Sequence, residues 1–194
     1  VGAGKSLVAQ LAALRAVESR VQAVFIAPTE LLAAQLFETL ERLVSPLRDG
    51  GENISTALLR AGMKAAEKKP LINGLKDGSI DIVVSTTAAL GAKVSYKNLG
   101  LVIIDEQQKF GTEQRSKLLN SRSDDLVPHV LLMSATPIPR SVAQIFYGNM
   151  TSLELKEKPP GRLPITTEWI QEDPIEFTRQ ITNSVWTDVI SEAE

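Results

Sequence analysis

The stretch Leu-Val-Ile-Ile-Asp-Glu, residues 101–106, places two adjacent carboxylates at the end of a run of apolar strand residues. A buried strand can end in an acidic pair only where another group compensates for removing the charges from water. In a nucleotide-binding α/β domain, Mg²⁺ and a polyphosphate provide that compensation. Residues 1–6, Val-Gly-Ala-Gly-Lys-Ser, have the composition of a phosphate-binding loop. Together the two stretches predict an NTP-hydrolysing motor domain.

The overall composition is that of an ordinary globular chain. The 194 residues are 43% hydrophobic and 23% charged, with a formal net charge of −2. A slightly negative net charge gives no overall attraction to nucleic acid. Contacts with nucleic acid would therefore depend on a local basic patch or on backbone amides. The absence of cysteine excludes disulfides and fits a reducing, cytoplasmic location. No apolar stretch approaches the roughly 20 residues of a membrane span, so we expect no membrane partner.

Strand-length apolar runs alternate with helix-length amphipathic segments along the chain. The periodicity predicts helices over residues 5–19, 28–43, 64–75, 112–119 and 139–147. It predicts strands over residues 23–27, 54–59, 80–85, 99–105 and 129–134. Continuous apolar strands separated by helices indicate an α/β fold, with a mostly parallel sheet covered by helices on both faces.

Two local details of this pattern can be tested against a structure. The first helix repeats apolar residues at the spacing of one face, which we expect to pack on the sheet: Leu7, Val8, Leu11, Leu14 and Val17. Residues 45–52 are polar, and we expect a loop there. Each detail depends on the surroundings of the helix as well as on its sequence.

The pattern changes near residue 157. A turn-rich segment at 158–162 precedes an expected edge strand at 165–170, and an amphipathic helix then runs from Asp173. We therefore predict a domain over residues 1–156, a connector over 157–172 and a helix over 173–194 that leads into a further domain. Since the chain begins inside the phosphate-loop pattern, we expect it to be a segment of a longer protein.

The phosphate-loop residues have specific chemical roles. Gly2 and Gly4 allow successive backbone N–H groups to face a phosphate at the start of a helix. Lys5 can reach the β- and γ-phosphates, and the Ser6 hydroxyl can ligate Mg²⁺. The alternative is a glycine-containing turn before an ordinary helix.

The acidic pair and a later hydroxyl pair complete the expected site. Asp105 can hold Mg²⁺, and Glu106 can orient and deprotonate an attacking water. Ser134 and Thr136 follow the strand at 129–133 and can link a γ-phosphate to a nucleic acid site. A solvated acidic turn and a Ser/Thr turn are the simpler alternatives. The order of the segments favours one shared site, because ligands bind outside the carboxyl ends of such strands.

Several segments resemble the RecG family, the bacterial ATP-dependent DNA helicases of superfamily 2. The resemblance is carried by residues 105–115 (DEQQKFGTEQR), 133–140 (MSATPIPR), 27–35 (APTELLAAQ), 82–87 (IVVSTT), 159–162 (PPGR) and 165–167 (ITT). It extends over nearly the whole chain. The transcription-repair coupling translocase shares several of these motifs and is an alternative.

This resemblance implies the first RecA-like motor domain of such a helicase, a P-loop domain of three layers, together with the start of its connector. The implied cofactors are ATP and Mg²⁺. ATP would be bound by Gly2, Ala3, Gly4, Lys5 and Ser6. Ser6 and Asp105 would hold the metal, and Glu106 and Lys5 would be catalytic.

The resemblance also implies contacts with DNA and with other domains. Pro28, Thr29, Ser85 and Thr86 would meet the DNA backbone, and such contacts carry no sequence information. Gln108, Ser134 and Thr136 would couple the nucleotide state to the grip on DNA. The implied partners are branched or forked DNA and the second motor and wedge domains of the same chain. Because the second motor domain normally supplies an arginine finger, we expect little activity from this segment alone.

The chain departs from the family at a few positions. The family usually has His where this chain has Gln108, Arg where it has Lys109, and Gly-Thr-His at residues 85–87. Gln keeps hydrogen-bonding capacity but cannot titrate, so we expect hydrolysis to persist and the coupling to DNA to be the affected step. An ATP-dependent DNA-binding or regulatory module that does not unwind DNA is a further alternative.

Overall fold

The computed structural model describes residues 4–86, 94–106, 126–134 and 151–155. They belong to the first of two units, Val1–Pro159. The elements in chain order are α1 (Lys5–Glu18), β1 (Gln22–Ala27), α2 (Glu30–Asp49), β2 (Thr56–Leu59), α3 (Ala65–Asp77), β3 (Ile82–Thr86), β4 (Leu99–Asp105) and β5 (His129–Met133). The helices predicted over 112–119 and 139–147, the strand over 165–170 and the helix from residue 173 lie outside the described residues.

The five strands form one parallel sheet in the order β2-β3-β1-β4-β5. The central strand β1 is buried along its whole length, and so is its neighbour β3. Strands buried on both faces account for the continuous apolar runs in the sequence. The predicted parallel sheet is confirmed.

Helices cover both faces of this sheet. On one face, α1 and α2 pack through small and branched apolar residues against Phe25 and Ile103. On the other face, Leu75 of α3 and Tyr96 pack with Val24 and Val102. Alternate residues of the same strands therefore face opposite cores. This is the three-layer α/β architecture that the sequence predicts.

The buried face of α1 differs from the prediction. Leu7, Val8 and Leu11 are about half exposed, whereas Ala9, Gln10 and Ala13 are buried, and Leu14 and Val17 are partly buried. The small alanine side chains allow the helix to lie close to β1 and β4. Gln10 is tolerated there because its Nε2 donates to Thr39 Oγ1 at 2.8 Å. The prediction of the face is wrong for the first two turns.

The predicted loop over 45–52 is also wrong at its start, because α2 continues to Asp49. Leu40 and Val44 continue the buried stripe at helical spacing. One turn later, Arg48 Nε donates to the Ile54 carbonyl at 2.7 Å. These contacts hold the last turns in helical form although Pro46 lacks an N–H. The polar residues of the segment lie on the outer face of the helix.

Strand β5 lies at an edge of the sheet, and its first two residues are exposed. Met133, at its carboxyl end, is buried. In the described segments, no helix has the length and apolar character needed to cross a bilayer.

Candidate nucleotide and nucleic-acid site

The residues predicted to act together follow strands that end at the same edge of the sheet. Ala27 pairs with Thr86 at the ends of β1 and β3, and Asp105 pairs with Met133 at the ends of β4 and β5. Pro28, Glu106 and Ser134 come directly after three of these strands. Since parallel strands have their carboxyl ends on one side, the sheet brings these segments to one edge.

The described part of the phosphate-loop pattern forms the N-terminus of α1. Gly4 has φ 82°, in the left-handed region that favours glycine, and it caps the helix. Its carbonyl accepts hydrogen bonds from the N–H groups of Leu7 and Val8, at 3.0 and 3.2 Å. A Cβ at Gly4 would meet nothing within 4 Å, so the backbone conformation, not space, requires glycine. Gly2 and Ala3 lie outside the described residues.

Asp105 is a half-buried carboxylate with a perturbed pKa. Burial raises the pKa of Asp105, and the neighbouring charge of Glu106 raises it further. A backbone hydrogen bond with Glu106 and the charge of Lys5 lower the same pKa, but the net direction is upward. The Lys5 ammonium is therefore within electrostatic reach of Asp105. Their joint role in binding a nucleotide stays a prediction.

Glu106 adopts an uncommon backbone conformation at this point. Its φ is 50°, in the left-handed region that non-glycine residues rarely occupy. Its N–H donates to the Met133 carbonyl at the end of β5, at 3.0 Å. This hydrogen bond fixes the turn after β4 to the neighbouring strand. The sequence contains no signal for the conformation, since the usual marker is a glycine or an asparagine.

The residues present suit a hard divalent cation. Asp105 supplies a half-buried carboxylate whose pKa is raised by burial and by the charge of Glu106, and Ser6 supplies an exposed hydroxyl. Mg²⁺ prefers oxygen ligands and is usually held by one or two carboxylates together with substrate phosphates. Within the described segments, no cluster of three metal-ligating side chains is found. One carboxylate and one hydroxyl fit a metal whose other ligands come from a nucleotide and water.

The residues expected to contact DNA differ in accessibility. Thr29 is exposed, and its Oγ1 caps α2 by accepting the Leu32 N–H at 3.2 Å. Pro28, beside it, is half-buried. Ser85 is fully buried, and its hydroxyl donates to the Leu59 carbonyl at 3.0 Å. In this conformation the Ser85 hydroxyl joins β3 to β2, and the expectation that Ser85 meets DNA stays a prediction.

Thr86 and Ser134 complete the edge. The Thr86 hydroxyl is buried at the end of β3 and has no hydrogen-bond partner in the structure as described. Such a group is costly unless something else satisfies it. Ser134 is half-buried directly after β5. Gln108 and Thr136, the other predicted coupling residues, lie outside the described residues.

One contact at this edge was not predicted. The Glu30 carboxylate accepts the N–H of Ala61 through Oε1, at 3.0 Å. The two residues are 31 positions apart, so only the strand order brings them together. An acidic residue directly after the capping Thr29 is the single sequence signal, and it equally suits an ordinary helix start.

These observations describe a RecA-like α/β domain. A glycine-capped helix begins within a phosphate-loop pattern, and two carboxylates follow a strand at one edge of the sheet. A family model described as DEAD/DEAH box helicase matches residues 1–145. The chain belongs to the DEAD/DEAH box helicase family.

Relatives at higher identity carry one name. The protein named ATP-dependent DNA helicase RecG in Mycobacterium tuberculosis (strain ATCC 25618 / H37Rv) is 40% identical over 201 residues, which cover 100% of this chain and 27% of that protein. Its namesake in Thermotoga maritima is 42% identical over 184 residues, which cover 93% of this chain and 23% of that protein. The resemblance to RecG noted in the sequence is confirmed. The chain spans about a quarter of the length of these curated relatives.

Solved structures support the fold. A structure of RecG bound to a three-way DNA junction matches with a TM-score of 0.70 at 39% identity, covering 93% of this chain and 24% of that one. Domain 2 of the DEAD-box helicase Mss116p, bound to an RNA duplex, matches with a TM-score of 0.54 at 15% identity. It covers 69% of this chain and 51% of that chain, and it supports the fold alone.

Proposed function

We propose that this chain is the ATP-hydrolysing motor domain of a RecG-type DNA helicase that remodels branched DNA. The observation that carries the proposal is the half-buried Asp105, followed by Glu106 and within electrostatic reach of Lys5. A charged group of this kind at the carboxyl edge of a parallel sheet suits a metal-bound polyphosphate. The identity to RecG helicases over the whole chain directs the same chemistry toward DNA.

In this proposal the start of α1 binds ATP. Residues Gly2, Ala3 and Gly4 surround the phosphates with backbone N–H groups, and Lys5 offsets their charge. Ser6 and Asp105 would hold Mg²⁺, which when bound offsets phosphate charge in the transition state. Glu106 orients the attacking water and accepts its proton. The hydrogen bond from its N–H to Met133 holds Glu106 in position for this role.

DNA would lie along the same edge of the sheet. Pro28 and Thr29 at the start of α2, and Thr86 at the end of β3, are proposed to meet its sugar–phosphate backbone. Ser85 is proposed to belong to the same set, although its hydroxyl joins β3 to β2 in this conformation. The solved RecG structure with a three-way DNA junction supports a branched substrate. Because backbone contacts carry no sequence information, the motor would act on any base sequence.

The remaining predicted roles complete this proposal. Gln108, Ser134 and Thr136 would couple the nucleotide state to the DNA grip. The domain is proposed to occupy residues 1–156, followed by the connector and the leading helix. A second motor domain and a wedge domain of the full-length protein would be its partners. Since its substrate is chromosomal DNA, we place the protein in the bacterial cytoplasm.

The decisive experiment measures ATP hydrolysis by the full-length protein with and without a three-way DNA junction. We expect the junction to raise the rate at least tenfold. A DNA-independent rate would contradict the helicase proposal and favour an ATP-dependent regulatory module. Hydrolysis that is stimulated equally by unbranched duplex DNA would instead favour another translocase, such as the transcription-repair coupling type.

A substitution at Glu106 tests the proposed chemistry. Glu106→Gln keeps the size of the side chain but removes the base, so we expect the hydrolysis rate to fall about 10²- to 10⁴-fold. Binding of ATP, measured with a fluorescent analogue, should remain within about twofold because the residue is not proposed to touch the phosphates. Glu38→Gln, on the exposed face of α2, is the matched control. Undiminished hydrolysis in Glu106→Gln would show that another residue is the base.

A further inference from the structure

Helices α1 and α2 lie on the same face of the sheet, and each begins at a different part of the proposed machinery. Helix α1 starts at Lys5, directly after the phosphate-loop glycine Gly4. Helix α2 starts at Glu30, directly after Thr29, which is proposed to meet the DNA backbone. Both helices contribute buried residues to one core cluster. A specific contact between the two helices would therefore join the two proposed ligand sites.

The apolar packing of the two helices is directed mainly at the strands beneath them. Helix α1 packs on β1 and β4, whereas α2 packs on β1, β2 and β3. The side of α1 that faces the sheet consists largely of alanine, and Ala9 and Ala13 are fully buried. Small side chains interlock little with their surroundings, and apolar burial has no preferred direction. Packing alone therefore defines the position of α1 along α2 only weakly.

One polar contact defines that position. Gln10 is 4% exposed, and its Nε2 donates to Thr39 Oγ1 at 2.8 Å. The Thr39 hydroxyl in turn donates to the Leu36 carbonyl, one turn earlier in α2, at 2.9 Å. Because the hydroxyl proton points to this carbonyl, a lone pair is left for the Gln10 amide. In the described part of the chain, no other side-chain hydrogen bond or ion pair joins α1 to α2.

The contact lies close to the start of each helix. At a rise of 1.5 Å per residue, Gln10 is roughly 8 Å along α1 from Lys5, and Thr39 is about 14 Å along α2 from Glu30. Neither stretch contains the proline or glycine at which helices usually kink. Each stretch therefore moves as one rod. Because a hydrogen bond weakens steeply when its angle changes, α2 resists a shift of α1 along its axis.

We propose that Gln10 and Thr39 are positioning residues that couple nucleotide binding at the start of α1 to DNA binding at the start of α2. This inference rests on the proposed function and names a route by which one of its sites regulates the other. Phosphates held by the first N–H groups of α1 displace that helix, and the hydrogen bond passes the displacement to α2 and so to Thr29. Because neither side chain touches a ligand, their effect is confined to the coupling.

The quantity to measure is a coupling ratio in the full-length protein. A fluorescent, non-hydrolysable ATP analogue is titrated with and without a saturating three-way DNA junction. The ratio is the dissociation constant without DNA divided by the constant with DNA. We expect the wild-type ratio to differ from one at least about fivefold, the lower end of typical allosteric coupling. Titration of the junction with and without the analogue must give the same ratio, because coupling between two binding sites is reciprocal.

Variants at the contact should change this ratio alone. Gln10→Met keeps the length of one side chain and Thr39→Val the shape of the other, but each removes the hydrogen bond. In both variants the ratio should move to within about twofold of one, whereas Thr39→Ser retains the hydroxyl and should keep the wild-type ratio. The double variant should match the single variants, because the effects of contacting residues do not add. The affinity for each ligand alone should stay within about twofold of wild type.

Gln22 provides the matched control. It is 2% exposed, and its Nε2 donates to the Leu75 and Ile80 carbonyls at 3.0 and 2.7 Å. It is the first residue of β1 and so lies at the opposite edge of the sheet from both proposed sites. Gln22→Met therefore also removes hydrogen bonds of a buried glutamine. Its melting temperature should fall, but its coupling ratio should stay at the wild-type value.

The outcomes distinguish this inference from the proposed function. A wild-type ratio that persists in Gln10→Met or in Thr39→Val, or that is lost equally in Gln22→Met, overturns the coupling role and leaves the proposed function standing. A ratio of one in the wild-type protein also overturns it. If the junction then fails to stimulate hydrolysis as well, the proposed function is wrong too. Should Gln22→Met fail to fold, the comparison of Thr39→Val with Thr39→Ser still decides, because Thr39 is exposed.

Discussion

Glu106 combines a proposed chemical role with a backbone conformation that costs energy. A non-glycine residue in the left-handed region costs of order 1 kcal/mol. The conformation persists because the Glu106 N–H is paired with the Met133 carbonyl of the neighbouring strand. The sequence predicts that an acid ends β4, but not how its backbone turns, since that depends on β5, some 25 residues further along.

Asp105 provides a prediction about stability in the absence of nucleotide. Since burial and the charge of Glu106 raise the pKa of Asp105, its ionised form destabilises the folded protein. Asp105→Asn should therefore raise the melting temperature of the nucleotide-free protein at pH 7 by about 1–3 °C. Mg²⁺ with ATP should raise the melting temperature of the wild type, and this gain should be lost in the variant.

The stabilisation expected from Asp105→Asn should depend on pH. A raised folded pKa means that stability falls as the pH rises from the ordinary value of 3.8 through the folded value. The advantage of Asp105→Asn should therefore vanish below about pH 3.8 and be complete at neutral pH. Glu52→Gln, in an exposed turn, is the control. An advantage of the same size in acid would mean that charge is not its cause.

Among the residues that the structure describes, two buried hydroxyls lack a hydrogen-bond partner, those of Thr86 and Tyr96, and they form a matched pair. Tyr96 lies deep in the core, where burial raises its pKa. Because a buried unpaired hydroxyl costs about 1–3 kcal/mol, Tyr96→Phe should leave folding unchanged or stabilise it by about 1 kcal/mol. Thr86→Val should stabilise similarly but weaken junction binding at least threefold. Denaturant melts and anisotropy titrations measure the two effects, and equal DNA affinity in both variants would exclude Thr86 as a contact.

At the scale of elements, the sequence predicts the bounds of a strand correctly where its apolar residues are also the buried ones. Strand β4 has the predicted bounds, Leu99–Asp105, because a continuous apolar run bounded by polar residues is unambiguous. The end of α2 was missed because Pro46 and its polar neighbours resemble a loop, whereas long-range contacts extend the helix. The sequence does not predict the buried face of α1. Leucines on a sheet-facing side bury more apolar area, but alanines allow the helix to approach the sheet more closely, and in α1 the alanines face the sheet.

A network of hydrogen bonds made by Arg48 stabilises the end of α2. The exposed ion pair between Arg42 and Glu38 has no such network. Arg48 bonds both oxygens of Glu41, the Thr56 hydroxyl and the Ile54 carbonyl, and so ties the helix to the edge strand β2. Arg48→Ala should lower the free energy of unfolding by about 1–3 kcal/mol. Arg42→Ala removes the exposed pair with Glu38 and should cost at most about 0.5 kcal/mol. Chemical denaturation compares the two, and equal losses would contradict the network.

The same network sets a pH dependence in acid. The hydrogen bond from Arg48 lowers the pKa of Glu41 below its ordinary value of 4.5, and burial opposes this only in part. Because the folded pKa is depressed, the stabilisation is present above about pH 4.5 and is lost as the pH falls through the folded value. The difference between wild type and Arg48→Ala should therefore shrink in acid.

At the scale of the molecule, the carboxyl edge of the sheet divides into two regions. The ends of β3 and β1 carry the proposed DNA contacts, and the ends of β4 and β5 carry the proposed ATP chemistry. The boundary between the two regions lies between the neighbouring strands β1 and β4. The sequence predicts which residues follow each strand, but strand order, and hence the neighbour of each segment, comes from long-range pairing. The sequence therefore does not predict the hydrogen bond between Glu30 and Ala61.

The strand order also has a consequence for protein synthesis. The first described strand to be made, β1, is the central one, and both of its neighbours are made later. Strand β4 ends 78 residues after β1, which at about 5–20 residues per second leaves the apolar segment QAVFIA incompletely covered for roughly 4–16 s. On ribosomes arrested at increasing lengths, β1 should gain protection from proteolysis only after β4 has emerged. Protection of shorter chains would show that other parts of the nascent protein, or a chaperone, shelter the strand while its partners are being translated.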